Sequence, residues 1–316
     1  MEDRRSPICA VDARVVSRSA PCRDHVCLEL ELDARFDATP GQFLQISCHA
    51  PEAGADRVVE RRENDARPSL GRWWHDRQAF LRRPFSIADS WRQRNTTHVV
   101  LISRAVGPGT RWLDRVAGGQ TVNVTGPLGN GFSAPPPTAQ AVLVAGGVGI
   151  PPLLFLARRL HERGHALATL FFGAASADLV PVPLTQAPRR DAIATRCLRL
   201  FGDAPYPAVV STNDGSLGTR GHVTDALSQW LSGRDATGLR VFACGPPRML
   251  QAVAALTRRW NVACELCVER TMGCGLGTCL SCVLRVRDRT RPAGWRWALA
   301  CLDGPVFERD TLLDDA

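Results

Sequence analysis

The sequence predicts a multidomain α+β protein with three parts: an antiparallel β-barrel, a parallel α/β domain and a small C-terminal cysteine-rich domain. Residues 10–135 contain short alternating or β-branched runs that Gly and Pro separate, as in a small barrel. After residue 138, strands alternate with helices, which is typical of a parallel sheet. From residue 260 the chain is short and rich in cysteine. These changes place the domains at 8–135, 138–259 and 260–316.

Within the first part, four runs predict the barrel strands, and they are Cys27–Leu32, Phe43–Ser47, Thr97–Ile102 and Thr121–Thr125. One charged stretch at 52–79 interrupts this pattern and contains Trp73 and Trp74. We interpret it as a long surface insertion. A loop that docks on a partner is the alternative, because paired tryptophans are costly to expose.

A proline-rich segment, Ser133–Thr138, predicts a stiff linker before the α/β domain. Within that domain the predicted strands are Ala141–Ala145, Ala166–Phe172, Ala208–Ser211 and Leu239–Cys244, and the predicted helices are Pro152–Arg163, Thr224–Leu231 and Pro247–Arg259. The segment Val180–Arg199 fits neither pattern, and we interpret it as a second insertion.

Composition and charge exclude several classes of protein. All 39 basic residues are arginine, and they are scattered without the single basic stripe of a nucleic-acid-binding protein. The apolar stretch Ala141–Ala157 contains Gly and Pro in its middle, so it predicts strand, turn and helix and no membrane span. The N-terminus is charged and resembles no signal peptide, so we expect a cytoplasmic protein. In that compartment, twelve cysteines indicate metal or redox chemistry before disulfides.

The strongest motif is C-x4-C-x2-C followed by a distant fourth cysteine, formed by Cys274, Cys279, Cys282 and Cys301. This is the spacing of a plant-type 2Fe–2S site. Intervening glycines let a tight loop wrap the cluster and let backbone N–H groups face its sulfur atoms. Zinc and disulfides are the alternatives. We favour the cluster, because structural zinc usually takes two short paired knuckles and disulfides are rare in the cytosol.

A second cysteine pair, Cys264 and Cys267, has C-x2-C spacing that also suits a metal. However, the run Asn261–Glu269 predicts a strand, and residues three apart on a strand point to opposite faces. We therefore interpret these two cysteines as structural.

A flavin site is indicated in the barrel by the run Arg83, Pro84, Phe85 and Ser86. Its arginine suits a flavin pyrophosphate, and its serine, on the same strand, suits the edge of the isoalloxazine ring. The turn Gly107–Thr110 supplies further backbone N–H groups for phosphate. An ordinary strand start is the alternative interpretation of the run by itself.

A nicotinamide site is indicated by Gly146, Gly147 and Gly149, which follow a predicted strand and open a helix. Glycines there allow close approach of a dinucleotide phosphate, and the helix N-terminus supplies positive potential. A later strand ends at Cys244, Gly245 and Pro246, and ligands of parallel sheets bind beyond such strand ends. We place Cys244 near the nicotinamide. The run Phe172–Asp178 contains no arginine for a 2′-phosphate, which favours NAD over NADP.

These motifs, in this order, resemble the ferredoxin–NADP reductase superfamily. The C-terminal runs Glu269–Cys282 and Cys301–Phe307, with Asn213–Asp225 and Gly126–Phe132, are similar to the electron-transfer subunits of class 1B dihydroorotate dehydrogenases. The similarity extends from about residue 10 to 310, and the C-terminal run is its most specific part.

The resemblance implies an oxidoreductase subunit that carries electrons from a partner through a 2Fe–2S cluster and FAD to NAD. It implies FAD contacts from Arg83–Ser86, Ile102, Ser103, Arg104, Gly109 and Thr110, and cluster ligation by the four motif cysteines. The implied partner is an FMN-containing dihydroorotate dehydrogenase catalytic subunit, in a heterotetramer of two plus two chains. The substrate site is expected on that partner, because the seven histidines here form no evident cluster with carboxylates.

Two alternatives stay open from the sequence. One is an electron-transfer subunit of another NAD(P)H-linked complex, of the sulfide dehydrogenase or transhydrogenase type. The other is a non-catalytic module that keeps the fold, against which the intact cluster and flavin motifs argue. The insertions at 52–79 and 180–199 are compatible with a changed partner.

Overall fold

A computed structural model describes residues 8–48, 81–200 and 205–313. The predicted insertion at 52–79 lies outside these described residues. The predicted multidomain α+β class is confirmed: a closed antiparallel barrel precedes a largely parallel sheet with helices on both faces and a small two-stranded sheet.

Six strands close the barrel in the order β1-β2-β5-β4-β3-β6. Their bounds are β1 Cys9–Ser19, β2 His25–Leu32, β3 Phe43–Ile46, β4 Arg83–Gln93, β5 Thr96–Arg104 and β6 Thr121–Leu128, and the short helix α1, Pro108–Leu113, lies between β5 and β6. Alternation explains why these runs form strands. On β2, Leu28, Leu30 and Leu32 are fully buried in the barrel core, whereas the residues between them are partly exposed.

The second sheet has the order β11-β10-β8-β7-β12-β13-β16, with β9 paired to β10. Its strands are β7 Gln140–Gly146, β8 Leu167–Ala174, β9 Thr195–Leu198, β10 Tyr206–Thr212, β11 Thr219–Arg220, β12 Leu239–Cys244, β13 Ala263–Cys267 and β16 Val306–Glu308. Its helices are α2 Ile150–Glu162, α3 Val223–Ser232 and α4 Pro247–Arg259. Strands β14, Val283–Arg287, and β15, Trp295–Leu299, form a separate two-stranded sheet, and Val286 on β14 also makes an isolated bridge with Leu312.

Helices cover both faces of this sheet, so its central strand is buried throughout. On β7, Leu143 packs with α2 on one face, and Val142 and Val144 pack with α3 and α4 on the other. A strand that is buried on both faces reads as a continuous apolar run, which is why Ala141–Ala145 shows no alternation. Among the described residues, no helix is both long enough and apolar enough to cross a membrane.

The C-terminal segment shares the second sheet. Strand β13 pairs in parallel with β12, and β16 pairs antiparallel with β13. The two faces of β13 carry Cys264 and Cys267 into different hydrophobic cores, as the strand argument for these cysteines requires. The domain boundaries at 135, 138, 259 and 260 stay predictions.

Helix α2 and the segment Val180–Arg199 differ from the sequence-based prediction for identifiable reasons. Helix α2 begins at Ile150, two residues before the predicted start, because Pro151 and Pro152 fit a first turn that needs no intrahelical N–H. Within the predicted insertion Val180–Arg199, strand β9 extends the sheet and buries Val180 and Val182. Its scattered prolines hide this pairing from a periodicity argument.

Candidate functional site

A cavity of about 470 Å³ opens where the barrel, the second sheet and the C-terminal segment meet. Of the fifteen residues predicted for FAD and NAD, thirteen line it, and they are Pro84, Phe85, Ser86, Ile102, Ser103, Arg104, Thr110, Gly146, Gly147, Gly149, Cys244, Gly245 and Pro246. The tertiary structure therefore brings the two predicted sites together in one space. What each residue binds stays a prediction.

The other two predicted residues, Arg83 and Gly109, lie next to each other and do not line the cavity. A Cβ on Gly109 would fall 2.8 Å from Cγ of Arg83. The Arg83 guanidinium donates hydrogen bonds to the backbone oxygens of Leu81 and Arg82, at 2.9 Å and 3.4 Å. The predicted grip of Arg83 on a pyrophosphate therefore requires the side chain to turn from these carbonyls.

Two side chains on the barrel side of the cavity carry polar atoms that no described residue satisfies. They are Nε of Arg104 and Nε2 of His25, which face each other across β5 and β2. A buried polar group without a partner costs free energy unless a ligand or water completes it. The Nε–H of Arg104 can donate to a phosphate or carbonyl oxygen of a flavin dinucleotide, so the residues of the cavity fit FAD.

His25 was not among the predicted site residues. Its Nδ1 lies 2.7 Å from the backbone oxygen of Arg23, which orients the ring toward the cavity. Burial lowers the pKa of His25, so the ring is neutral at pH 7 and Nε2 is an acceptor. No sequence signal identifies this residue, because only the pairing of β2 with β5 places it at the cavity.

On the opposite side, the glycine-rich turn packs directly on the end of β12. A Cβ on Gly149 would fall 2.3 Å from the backbone oxygen of Cys244, so only glycine fits there. This contact holds the start of α2 beside Cys244 and Gly245 at the carboxyl ends of β7 and β12. Dinucleotides bind at this edge of parallel sheets, which supports the predicted NAD site.

A pair of buried thiols lies at the back of the cavity. Cys244 and Cys267 are register partners on β12 and β13, and both line the cavity. A hydrogen bond with Cys267, together with burial, raises the pKa of Cys244 well above its usual value. Cys244 is therefore an uncharged, compact wall residue and not a thiolate nucleophile.

The segment Glu269–Met272 continues the cavity wall and leads directly into the cysteine loop. In that loop, backbone N–H groups of Leu276, Thr278 and Cys279 each donate to Sγ of Cys274 at 3.3 Å. Several N–H groups converging on one sulfur are what a cluster-bound thiolate requires. The cysteine loop therefore wraps around Sγ of Cys274, with its N–H groups directed at that atom, as the motif predicts.

The four motif thiols are grouped two and two. The Cys274 N–H donates to Sγ of Cys279 at 3.3 Å, and Cys301 is hydrogen-bonded to Cys282. In residues 8–48, 81–200 and 205–313, no three His, Cys, Asp or Glu side chains lie close enough together to hold one metal ion. Two thiol pairs fit a two-iron cluster, in which each iron takes two protein ligands, better than one tetrahedral zinc.

Electrostatics differ between the two pairs. A hydrogen bond from Ser281 lowers the pKa of Cys279 to about 6, so this exposed thiol is ionised at neutral pH. Burial raises the pKa of Cys301 to about 12, with Cys282 as the second cause. Metal binding has to remove the proton of Cys301, whereas Cys279 is ready to ligate.

One expectation about the histidines was wrong. His98 lies between two carboxylates, with Nδ1 2.8 Å from Glu29 and Nε2 3.6 Å from Glu31. The ring stacks on Trp91 on the barrel wall and does not line the cavity. The three residues lie on neighbouring strands, which the sequence order does not show.

Comparison with solved structures confirms the fold. The NADH-dependent reduced ferredoxin–NADP oxidoreductase superposes with a TM-score of 0.69 at 24% identity, covering 96% of this chain and 90% of that one. Phthalate dioxygenase reductase superposes with a TM-score of 0.53 at 16% identity, covering 88% and 87%. At these identities the likeness shows the fold alone.

Comparison with curated proteins identifies the family. Residues 269–313 match the model of the iron–sulfur cluster binding domain of dihydroorotate dehydrogenase B. The electron transfer subunit of dihydroorotate dehydrogenase B (NAD(+)) from Shouchella clausii is 31% identical over 300 residues, covering 93% of this chain and 94% of its own. The Bacillus velezensis subunit is 36% identical over 234 residues, covering 73% and 80%. The chain therefore belongs to the family of electron transfer subunits of dihydroorotate dehydrogenase B, a family of oxidoreductase subunits.

Proposed function

We propose that this chain carries electrons from an FMN-containing dihydroorotate dehydrogenase catalytic subunit to NAD⁺, in a cytoplasmic heterotetramer of two plus two chains. The observation that carries the proposal is the continuous segment from Cys267 to Cys274. It forms one wall of the dinucleotide cavity and then enters the cysteine loop. The two sites are thus joined by a few residues of one chain.

Three groups of residues would hold the three cofactors. Cys274, Cys279, Cys282 and Cys301 would hold the 2Fe–2S cluster, and Arg104 with Ser86 and Thr110 would orient FAD against the barrel. The turn at Gly146–Gly149 and the strand end at Cys244 would hold NAD on the other side. When bound, the flavin supplies chemistry that exchanges one or two electrons at a time, so it joins the cluster to a hydride carrier.

The organic substrate would bind on the partner. Within the described residues, the cavity wall carries no His–carboxylate pair, since His98 and its two glutamates lie elsewhere on the barrel. The wall is mostly glycine and apolar side chains, with the neutral thiol of Cys244 and the polar side chains of His25, Arg104 and Glu269 among them. A wall that is mostly glycine and apolar side chains positions cofactors and excludes water.

The test combines the purified chain with its candidate FMN catalytic subunit and follows NADH formation driven by dihydroorotate. We expect NADH only when both proteins are present. Cys279→Ala is expected to abolish NADH formation, because it removes one iron ligand. Cys9→Ala, at a half-buried position on β1 outside the cavity wall, is the matched control and is expected to retain activity.

The outcomes separate the alternatives. The purified chain could carry iron and flavin and oxidise NADH with an artificial acceptor, yet form no NADH from dihydroorotate. In that case the chain serves another partner, and the assignment to pyrimidine biosynthesis is wrong. A purified chain that takes up neither iron nor flavin is a non-catalytic module.

A further inference from the structure

A buried glutamine connects the barrel to the cysteine loop. On β3, Leu44 and Ile46 point into the barrel core, whereas Phe43 packs outside it in the core that contains Cys282 and Cys301. Gln45 lies on the same outer face as Phe43, because side chains two apart on a strand share a face. Only 1% of its surface is exposed.

The amide of Gln45 touches the cysteine loop directly. A Cβ on Gly275 would fall 2.7 Å from both Cδ and Nε2 of Gln45, so the amide packs against the Cα of the residue that follows Cys274. Gly275 has φ of +69°, which glycine adopts without strain. The missing side chain at Gly275 therefore makes the space that the Gln45 amide fills.

No described residue accepts a hydrogen bond from Nε2 of Gln45, although this atom is fully buried. An orphaned buried donor is costly, so such groups are rare unless a ligand completes them. The neighbouring loop is the predicted place of a group with several acceptor sulfur atoms. The orphaned donor and that group are therefore complementary.

Gln45 also lies next to the wall of the cofactor cavity. Its strand partner on β4 is Pro84, which lines the cavity. Gln45 is thus one strand spacing from the cavity wall, and its amide reaches the cysteine loop. This glutamine therefore lies between the two predicted cofactor sites.

We propose that Nε2 of Gln45 donates a hydrogen bond to a sulfur atom of the 2Fe–2S cluster or of its ligand Cys274. The inference rests on the cluster of the proposed function. Gln45 acts as a positioning residue. It fixes the cysteine loop against strands β3 and β4 and raises the cluster's reduction potential. Reduction adds negative charge to the sulfur atoms, so a donor stabilises the reduced form more than the oxidised form.

The first test replaces the donor by an apolar side chain of similar size. Gln45→Leu is expected to lower the equilibrium constant for cluster reduction by about three- to tenfold, a fall of about 30 to 60 mV in a one-electron midpoint potential. The potential is measured by spectroelectrochemical titration of the protein with its flavin and cluster. Gln93→Leu, the same change at the exposed end of β4, is expected to leave the potential unchanged.

A Gln45→Leu protein that retains iron and flavin and has the wild-type midpoint potential would overturn the proposal. Gln45→Asn keeps the amide but shortens the side chain by one methylene, so it is expected to shift the potential in the same direction as Gln45→Leu. Equal potentials in all these proteins would mean that Gln45 only fills space.

A second measurement needs no variant and decides the matter if Gln45→Leu fails to fold. In wild-type protein with ¹⁵N in its glutamine side chains, pulsed EPR of the reduced cluster is expected to show a ¹⁵N coupling. Absence of that coupling in a protein that contains the cluster overturns the inference and leaves the proposed function intact. If the ¹⁵N signal is present but dihydroorotate does not drive NADH formation, the inference about Gln45 holds and the proposed function is wrong.

Discussion

At the scale of single residues, Gly277 shows how closely the cysteine loop packs on the fourth ligand. Its φ is +85°, and a Cβ there would fall 2.2 Å from Cδ1 of Leu302, the residue after Cys301. Both the backbone conformation and the contact require glycine. The spacing motif alone does not distinguish this glycine from its neighbours.

Gly277→Ala is expected to cost about 2–4 kcal/mol of folding free energy, from left-handed strain and overpacking together. The iron content of the purified protein should fall, which a colorimetric iron assay measures. Gly294→Ala is the matched control, because Gly294 has φ of +74° and a Cβ there would meet no described atom within 4 Å. Similar iron loss in both variants would show that strain alone is responsible.

His25 gives a pH prediction. Burial lowers its pKa below the ordinary value of about 6.5, so below that pH the unfolded chain binds more protons than the folded one. The contribution of His25 to stability is complete above about pH 6.5 and is lost as the pH falls toward its folded pKa. The slope for one proton is at most about 1.4 kcal/mol per pH unit.

We therefore expect His25→Gln to reduce the fall in Tm between pH 7.5 and pH 5, as measured by thermal unfolding of the apoprotein. A His25→Gln profile parallel to wild type would contradict the assignment of a buried neutral imidazole.

At the scale of elements, a buried carboxylate joins three strands and the linker. Glu265 on β13 accepts a hydrogen bond from Arg240 on β12 at 2.6 Å and from the Ser133 N–H at 2.9 Å. The same Arg240 donates to Glu308 on β16 at 2.5 Å. The predicted linker is therefore fixed at its first residue to the strands of the second sheet.

Glu265→Ala is expected to cost about 2–3 kcal/mol, because it removes the buried acceptor of Arg240 and of the Ser133 N–H and leaves Arg240 only the more exposed Glu308. Glu308→Ala removes the more exposed partner of the same arginine, and we expect it to cost no more than about 1 kcal/mol. Urea unfolding of the two variants measures the difference. Equal losses would mean that burial does not distinguish the two ion pairs.

At the scale of the whole molecule, Phe155 of helix α2 packs into the barrel core, and polar contacts tie the barrel further to the other parts. Asn130, at the end of the barrel, donates from Nδ2 to the backbone oxygens of Asp303 and Val306 and accepts from the Val306 N–H, each at 2.9 Å. Arg23, on the turn between β1 and β2, pairs with Asp178 beyond β8 at 2.8 Å. These contacts fix the cavity between the parts.

Asn130→Ala is expected to speed the loss of iron to a chelator several-fold, because its three hydrogen bonds hold the segment that follows Cys301. Asn123→Ala, whose hydrogen bonds join Arg82 and Asp12 within the barrel, is the control and is expected to lose iron at the wild-type rate. Chelator kinetics followed by the visible absorbance of the cluster give both rates. Identical rates in the two variants would exclude this coupling.

Much of the fold could be predicted from local pattern. Strand β12 and helix α4 have the predicted bounds, because apolar periodicity and a flanking Gly–Pro pair mark them. Strand β9 could not be predicted, because its stability comes from pairing with β10 and not from its own composition. The predicted site residues were those with a motif, whereas His25 and Gln45 have none.

The sequence by itself determined the fold class, the order of the parts, the four cluster cysteines as candidates and the glycine turns at the cavity. Each depends on residues that are close along the chain, where spacing and backbone chemistry act directly. Only the tertiary structure decided that the flavin and nicotinamide motifs share one cavity, and that Gln45 meets Gly275. Those contacts join residues far apart in the chain, and strand pairing and domain packing alone bring them together.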